Sequence, residues 1–128
     1  METILITDDD GVCREAIQRT LERQGYRVQG AANVDAALDA IRRIPFDLIV
    51  CDFRMPGKTG LDLLAELHAR GPQIPVLMVS AYTDENTEAA AVQLGAAGLL
   101  RKPFRRRDLL DCVMRAIHQG IEVRLLPG

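Results

Sequence analysis

The sequence has no tryptophan, only two tyrosines and three phenylalanines, and no strong excess of either charge. With so few rings, stacking of bases on an aromatic platform has little to work with. Sixteen Lys and Arg against eighteen Asp and Glu leave a net charge of −2. That balance argues against bulk electrostatic binding to nucleic acid or to an anionic membrane. No apolar run approaches the roughly 20 residues a bilayer span requires, and the first residues lack the basic, apolar and small-residue order of a secretory signal. Cys13, Cys51 and Cys112 are odd in number and stand at no metal-ligand spacing, so they read as reduced thiols in a cytoplasmic protein. What is present is an ordinary folded composition, 48% hydrophobic and 27% charged over 128 residues. A chain of that length makes one domain and can bury a core without disulfide or metal staples.

Short runs of Ile, Val and Leu alternate with stretches of helical period. The predicted strands are Thr3-Ile4-Leu5-Ile6-Thr7, an edge strand over 26–31, the continuous run Asp47-Leu48-Ile49-Val50-Cys51, Pro75-Val76-Leu77-Met78-Val79, and Gly98-Leu99-Leu100-Arg101. Between them the spacing predicts a helix with Val12, Ala16, Ile17, Thr20 and Leu21 inward, ending at Gly25. A second, capped by Asn33, turns Val34, Ala37, Leu38 and Ile41 inward, and a third uses Leu61, Leu64, Ala65 and His68. A fourth covers about 85–94, and a last runs near 106–118 with Leu109, Leu110, Val113, Met114 and Ile117 inward. Met55, Met78 and Met114 read as core filler. Buried strands alternating with helices predict a doubly wound α/β domain with a five-stranded parallel sheet and five helices. Residues 121–128 show no helical period and read as a tail or the start of a linker after a domain over 1–120.

The informative residues end the strands: Asp8-Asp9 after the first, Asp52 after the third, Ser80 after the fourth and Lys102 after the fifth. In a doubly wound sheet the ligand crevice lies outside the carboxyl ends of the strands. Carboxylates gathered there repel one another unless a cation neutralises them, and an all-oxygen donor set suits Mg²⁺. A lysine and a serine hydroxyl nearby would complement phosphoryl oxygens. Together these residues predict a phosphoryl-transfer site.

That ordered set resembles the receiver domain of two-component response regulators, the superfamily of the chemotaxis regulators. The resemblance covers about residues 3–119 and rests on Ile4 to Asp10, Asp47 to Asp52, Met55-Pro56 with Gly60, Val79-Ser80-Ala81, Gly95-Ala96 with Gly98, and Lys102-Pro103-Phe104. It implies a flavodoxin-like strand order 2-1-3-4-5 and a cis Lys102–Pro103 peptide. It further implies that Asp52 takes a phosphoryl group from a sensor histidine kinase. Asp9, Asp52 and the backbone carbonyl of Arg54 would ligate Mg²⁺, with Asp8 acting through water, while Ser80 and Lys102 would each hold a phosphoryl oxygen. An aspartyl phosphate could then draw Ser80 and its loop inward, biasing a two-state element. The face made by the fourth helix, fifth strand and last helix is where relatives dimerise or dock. An attached DNA-binding effector is the commonest output, the receiver itself contacting neither nucleic acid nor membrane.

Some positions depart from the pattern. Leu99 stands where relatives often carry the aromatic half of the switch. Arg54 and Tyr82 flank the reacting centre, and both are expected to screen the aspartyl phosphate from water. The last helix opens on Arg105-Arg106-Arg107, cations that oppose its macrodipole, and with Arg101 these predict a partner-facing basic patch. Asp10 reads as a helix cap, Cys51 as an inert core thiol, and His68 and His118 as surface residues. Gly57-Lys58-Thr59 lacks the upstream glycine of a P-loop. Two rival functions stay open. Residues 4–12 also resemble the first motif of haloacid-dehalogenase-like phosphohydrolases, with Asp8 as nucleophile and Asp10 as acid–base, although no later acidic pair follows on a strand. A pseudo-receiver that binds partners without phosphotransfer is the other, kept open by Leu99.

Overall fold

The structure, a computed structural model, describes residues 1–55, 57–81 and 85–125, and side chains as far as His118. The chain runs β1 (Thr3–Thr7), α1 (Gly11–Arg23), β2 (Arg27–Ala31), α2 (Val34–Arg43), β3 (Leu48–Asp52), α3 (Gly60–Arg70), β4 (Val76–Ser80), α4 (Glu85–Gln93), β5 (Gly98–Arg101) and α5 (Arg106–Leu125). All strands pair in parallel in the order β2-β1-β3-β4-β5, the doubly wound arrangement that the sequence predicts. Among the described residues no helix is long and apolar enough to cross a membrane.

Strand alternation divides the core in two. Leu5, Ile49, Cys51, Val76 and Met78 face α2, α3 and α4, whereas Ile4, Ile6, Leu48, Val50, Leu77 and Val79 face α1 and α5. Because both faces are covered, the central strands read as unbroken apolar runs. Each fully buried Leu or Ile among them contributes about 1.5–3 kcal/mol.

The helix boundaries have local causes. Asp10 caps α1 by accepting from the N–H groups of Val12 and Cys13, and Gly25, at φ +94°, reverses the chain after it. Asn33 caps α2 at Ala36 N–H, 2.8 Å away. Thr59 and Asp62 form a reciprocal capping box on α3. Lys58 pairs with Asp35 of α2 at 2.8 Å, so the Gly57-Lys58-Thr59 segment begins a helix and tethers its neighbour.

Several expectations are corrected. Val12 is 80% exposed and Met114 is 50% exposed, so neither fills the core. The inward stripe of α3 is Leu63, Leu64 and Leu67 in place of Leu61, Leu64 and Ala65, and His68 lies outside, which agrees with its reading as a surface histidine. Those three leucines bury more apolar area than Ala65 and His68 could, and that decides the helix rotation. The α5 backbone continues past His118 to Leu125. Gly120 does not stop it, since a glycine costs a helix only about 1 kcal/mol relative to Ala, and no proline intervenes before Pro127. The N-terminus of α5 is also better capped than the three arginines suggest, since the Arg105 N–H donates to Asp108 Oδ2 at 3.2 Å.

Candidate functional site

The site forms where β1, β3, β4 and β5 end together. The N–H of Asp8 donates to the Ala31 carbonyl at 3.1 Å, which carries the β1–β2 ladder one residue beyond Thr7 and places the Asp8 side chain inside the crevice, 2% exposed. Asp8 Oδ1 then accepts from the Asp10 N–H at 2.9 Å, a local turn that brings the chain back into α1 and leaves Asp9 facing outward. Asp52 closes β3, and its Oδ1 accepts from the Arg54 N–H at 3.1 Å. The Lys102 N–H donates to the Ser80 carbonyl at 2.8 Å, joining the ends of β4 and β5. From there the Lys102 ammonium reaches Asp52 Oδ2 at 3.0 Å and Asp8 Oδ2 at 3.3 Å. The Lys102–Pro103 peptide is cis.

Carboxylate oxygens of Asp8, Asp9 and Asp52 all lie within 4.8 Å of one another. Burial by itself would lower the pKa of Lys102, but the hydrogen bond to Asp52 and the charges of Asp52 and Asp8 raise it above the ordinary lysine value, keeping the ammonium charged. The donor set tests well against a small hard cation. Octahedral Mg²⁺ binds oxygens at about 2.0–2.1 Å and retains waters, so it needs a few clustered carboxylates with one side open. Buried Asp8, half-buried Asp52 and exposed Asp9 provide that gradation.

Other expected residues fall as follows. Ser80 is buried at the end of β4, in register with Arg101. Leu99 is half-buried against the α2–α4 side of the core. Arg54 is exposed beside Asp52. Tyr82 and Pro56 lie outside the described residues. Arg101, Arg105, Arg106 and Arg107 are all exposed, and Arg101 forms an ion pair with Glu88 of α4. The Asp10 carboxylate is engaged in capping α1, as the sequence predicts, and the acidic cluster among the described residues is made by Asp8, Asp9 and Asp52.

Two neighbours escaped the sequence reading. The thiol of Cys13, on the first turn of α1, borders Asp8 and Lys102; burial, then the Asp8 carboxylate, push its pKa up. The guanidinium of Arg14 donates from Nη1 to the Asp8 carbonyl at 2.7 Å. The available signal for Arg14 was electrostatic: a cation in the opening turns of a helix opposes the dipole, so another contact must compensate it.

A family description for the response regulator receiver domain matches residues 4–114. The chain is 38% identical over 112 residues to the response regulator protein FleR of Pseudomonas aeruginosa, an overlap of 88% of this chain and 24% of FleR. It is 37% identical over 119 residues to the transcriptional regulatory protein FixJ of Azorhizobium caulinodans, covering 91% of this chain and 56% of FixJ. The chain therefore spans about a quarter of one relative and about half of the other. A CheY-like receiver domain protein from Methanospirillum hungatei JF-1 superposes with a TM-score of 0.91 at 28% identity, covering 96% of this chain and 98% of that one. Strand order, acidic mouth and sequence likeness agree: this chain belongs to the receiver domains of two-component response regulators.

Proposed function

We propose that this protein acts in the cytoplasm, that Asp52 is the phosphoryl acceptor, that Asp8, Asp9, Asp52 and the Arg54 backbone carbonyl hold Mg²⁺, and that a sensor histidine kinase is the donor. The observation that carries this reading is the Lys102 ammonium set between Asp52 and Asp8, beside three converging carboxylates. In the transfer, the P–N bond of a phosphohistidine breaks as a P–O bond forms to an Asp52 oxygen. The imidazole leaves with the electron pair and takes up a proton. A carboxylate is a weak nucleophile, so the protein acts by positioning and by neutralising charge. Bound Mg²⁺ would offset the negative charge on the carboxylates and on the incoming phosphoryl oxygens. The Arg54 N–H orients Asp52 through Oδ1, Lys102 supplies a fixed cation, and the Ser80 hydroxyl supplies a donor to a second phosphoryl oxygen.

The output reading follows from the same end of the sheet. Ser80 is paired in the ladder with Arg101, and Arg101 is tied to Glu88, so a shift of Ser80 is transmitted to α4 and β5 without an aromatic at Leu99. The face of α4, β5 and α5, with Arg101, Arg105, Arg106 and Arg107, is the proposed surface for a second copy or a partner. A DNA-binding effector is the proposed attachment.

Incubation with acetyl phosphate and Mg²⁺ tests the chemistry. The parent protein is expected to gain the mass of one phosphoryl group, Asp52→Asn to gain none, and Asp8→Asn to be labelled more slowly. Label kept by Asp52→Asn and lost by Asp8→Asn would establish the hydrolase reading instead. In the same assay Arg54→Ala and Tyr82→Ala should release phosphate faster than the parent; equal rates remove their screening role. Charge reversal at Arg105, Arg106 and Arg107 that spares both dimerisation and partner binding removes the basic patch from the output face.

A further inference from the structure

We propose that Arg14 is a positioning residue for the acidic pair and sets the strength of Mg²⁺ binding from one turn inside α1. The proposal rests on reading the acidic cluster as the Mg²⁺ site. Arg14 Nη1 donates to the backbone carbonyl of Asp8 at 2.7 Å. That carbonyl lies one residue beyond the last β1–β2 pair, Thr7 with Ala31, and it takes its donor from α1 instead of from the strand ladder.

The carbonyl of Asp8 and the amide nitrogen of Asp9 belong to one rigid peptide plane. Holding the carbonyl therefore sets the rotation of the unit that joins the two acidic residues. Apart from the Lys102 ammonium at its Oδ2, Asp8 is anchored at three points: its N–H on Ala31, its Oδ1 on the Asp10 N–H, and its carbonyl on Arg14. Asp9 is exposed and reaches the cluster from the far end of that plane, so its orientation depends most on the third anchor.

The Arg14 stem has its own support. It crosses β2 at Gly30, where an added Cβ would lie 3.1 Å from Cδ, 3.3 Å from Nε and 3.5 Å from Cγ. Gly30 thus leaves the channel along which Arg14 reaches β1. A side chain there would displace the stem by a few tenths of an ångström or more and pull the guanidinium from the carbonyl, without touching any carboxylate.

Charge and position make opposite predictions, which allows a clean test. Removing a cation beside three carboxylates makes the crevice more negative, so Coulomb attraction alone predicts tighter Mg²⁺ binding. Loss of positioning predicts weaker binding. Calorimetric titration of Mg²⁺ into the unphosphorylated protein should show Arg14→Met binding about tenfold more weakly, the range for losing a residue that orients metal ligands. Gly30→Val should weaken binding in the parent and add nothing in the Arg14→Met background, because the displaced stem then carries no donor. Unchanged or tighter binding by Arg14→Met overturns the proposal, as does an equal effect of Gly30→Val in both backgrounds. Should Arg14→Met not fold, as judged by thermal melting, Gly30→Val alone decides from β2, and parent-like affinity there overturns it. A parent protein that takes up no Mg²⁺ overturns the metal reading itself and this proposal with it.

Discussion

At the scale of single residues, the crevice sits beside a polar group that the core leaves unsatisfied. Thr7 is fully buried at the end of β1, and its hydroxyl has no hydrogen-bond partner among the described residues. A buried donor without a partner costs about 1–3 kcal/mol, whereas Val keeps the branched shape and removes the hydroxyl. Thr7→Val is therefore expected to raise stability by about 1 kcal/mol in urea denaturation; a fall in the midpoint would mean that the hydroxyl does hold a partner. Lys102 shows the opposite case, a half-buried cation whose two carboxylate partners compensate its burial. Its role was legible because Lys-Pro after an apolar strand matches a family motif. Arg14 lies outside the segments that carried the resemblance, and its partner is a backbone carbonyl that side-chain patterns do not report.

Between elements, the approach of α3 to β3 is the tightest constraint around Asp52. A Cβ at Gly60 would stand 2.3 Å from the Asp52 carbonyl oxygen and 2.8 Å from Met78 Cε. The methionine tip can swing aside, but the carbonyl can move only with the strand end that carries the acceptor. Gly60→Ala should lower stability by about 1–3 kcal/mol and slow the labelling of Asp52 by acetyl phosphate. Parent-like values for both would show that α3 can shift without disturbing β3. Strands were more legible than helix faces at this scale. A strand covered on both sides is apolar at every position, so β3 and β4 needed no phase assignment. Short helices do, and one misplaced residue rotates the inferred face, as with Val12 in α1, Met114 in α5 and the leucines of α3. The cap on α5 was obscured for a related reason: Asp108 reaches back from the third helical position to the Arg105 N–H, behind the three arginines.

For the whole molecule, alkaline stability follows from acids that the fold holds neutral. Burial, with smaller contributions from the charges of Asp52 and Asp8, raises the Cys51 thiol far above its ordinary value of 9.0. Burial is also the leading cause of the upward shifts of Cys13, Cys112 and Tyr26. Well below that ordinary value the thiols are protonated in both folded and unfolded chains and add no pH dependence. Above it the unfolded chain releases protons that the folded chain retains, so stability falls as pH rises, by at most about 1.4 kcal/mol per pH unit for one group. Lys102, also raised, adds a loss of the same sign only above its ordinary value of 10.5. Denaturation midpoints measured from pH 8 to pH 10.5 should decline, and Cys51→Ala should flatten the decline. An equal slope in that variant would place the titrating group elsewhere.

The alternation of apolar runs with helical periods, and the residue types that end those runs, were properties of the sequence alone. Parallel strands joined by helical crossovers bring their carboxyl ends to one edge, so Asp8, Asp52, Ser80 and Lys102 had to share a mouth before any distance was known. Tertiary structure decided how they meet. It placed an ammonium 94 residues away in sequence within 3.3 Å of Asp8 and passed Arg14 over Gly30 to the base of the acidic pair. Local periodicity encodes which face an element buries. The reach of a side chain across neighbouring strands depends on the space those strands leave between them, and that exists only once the sheet has formed.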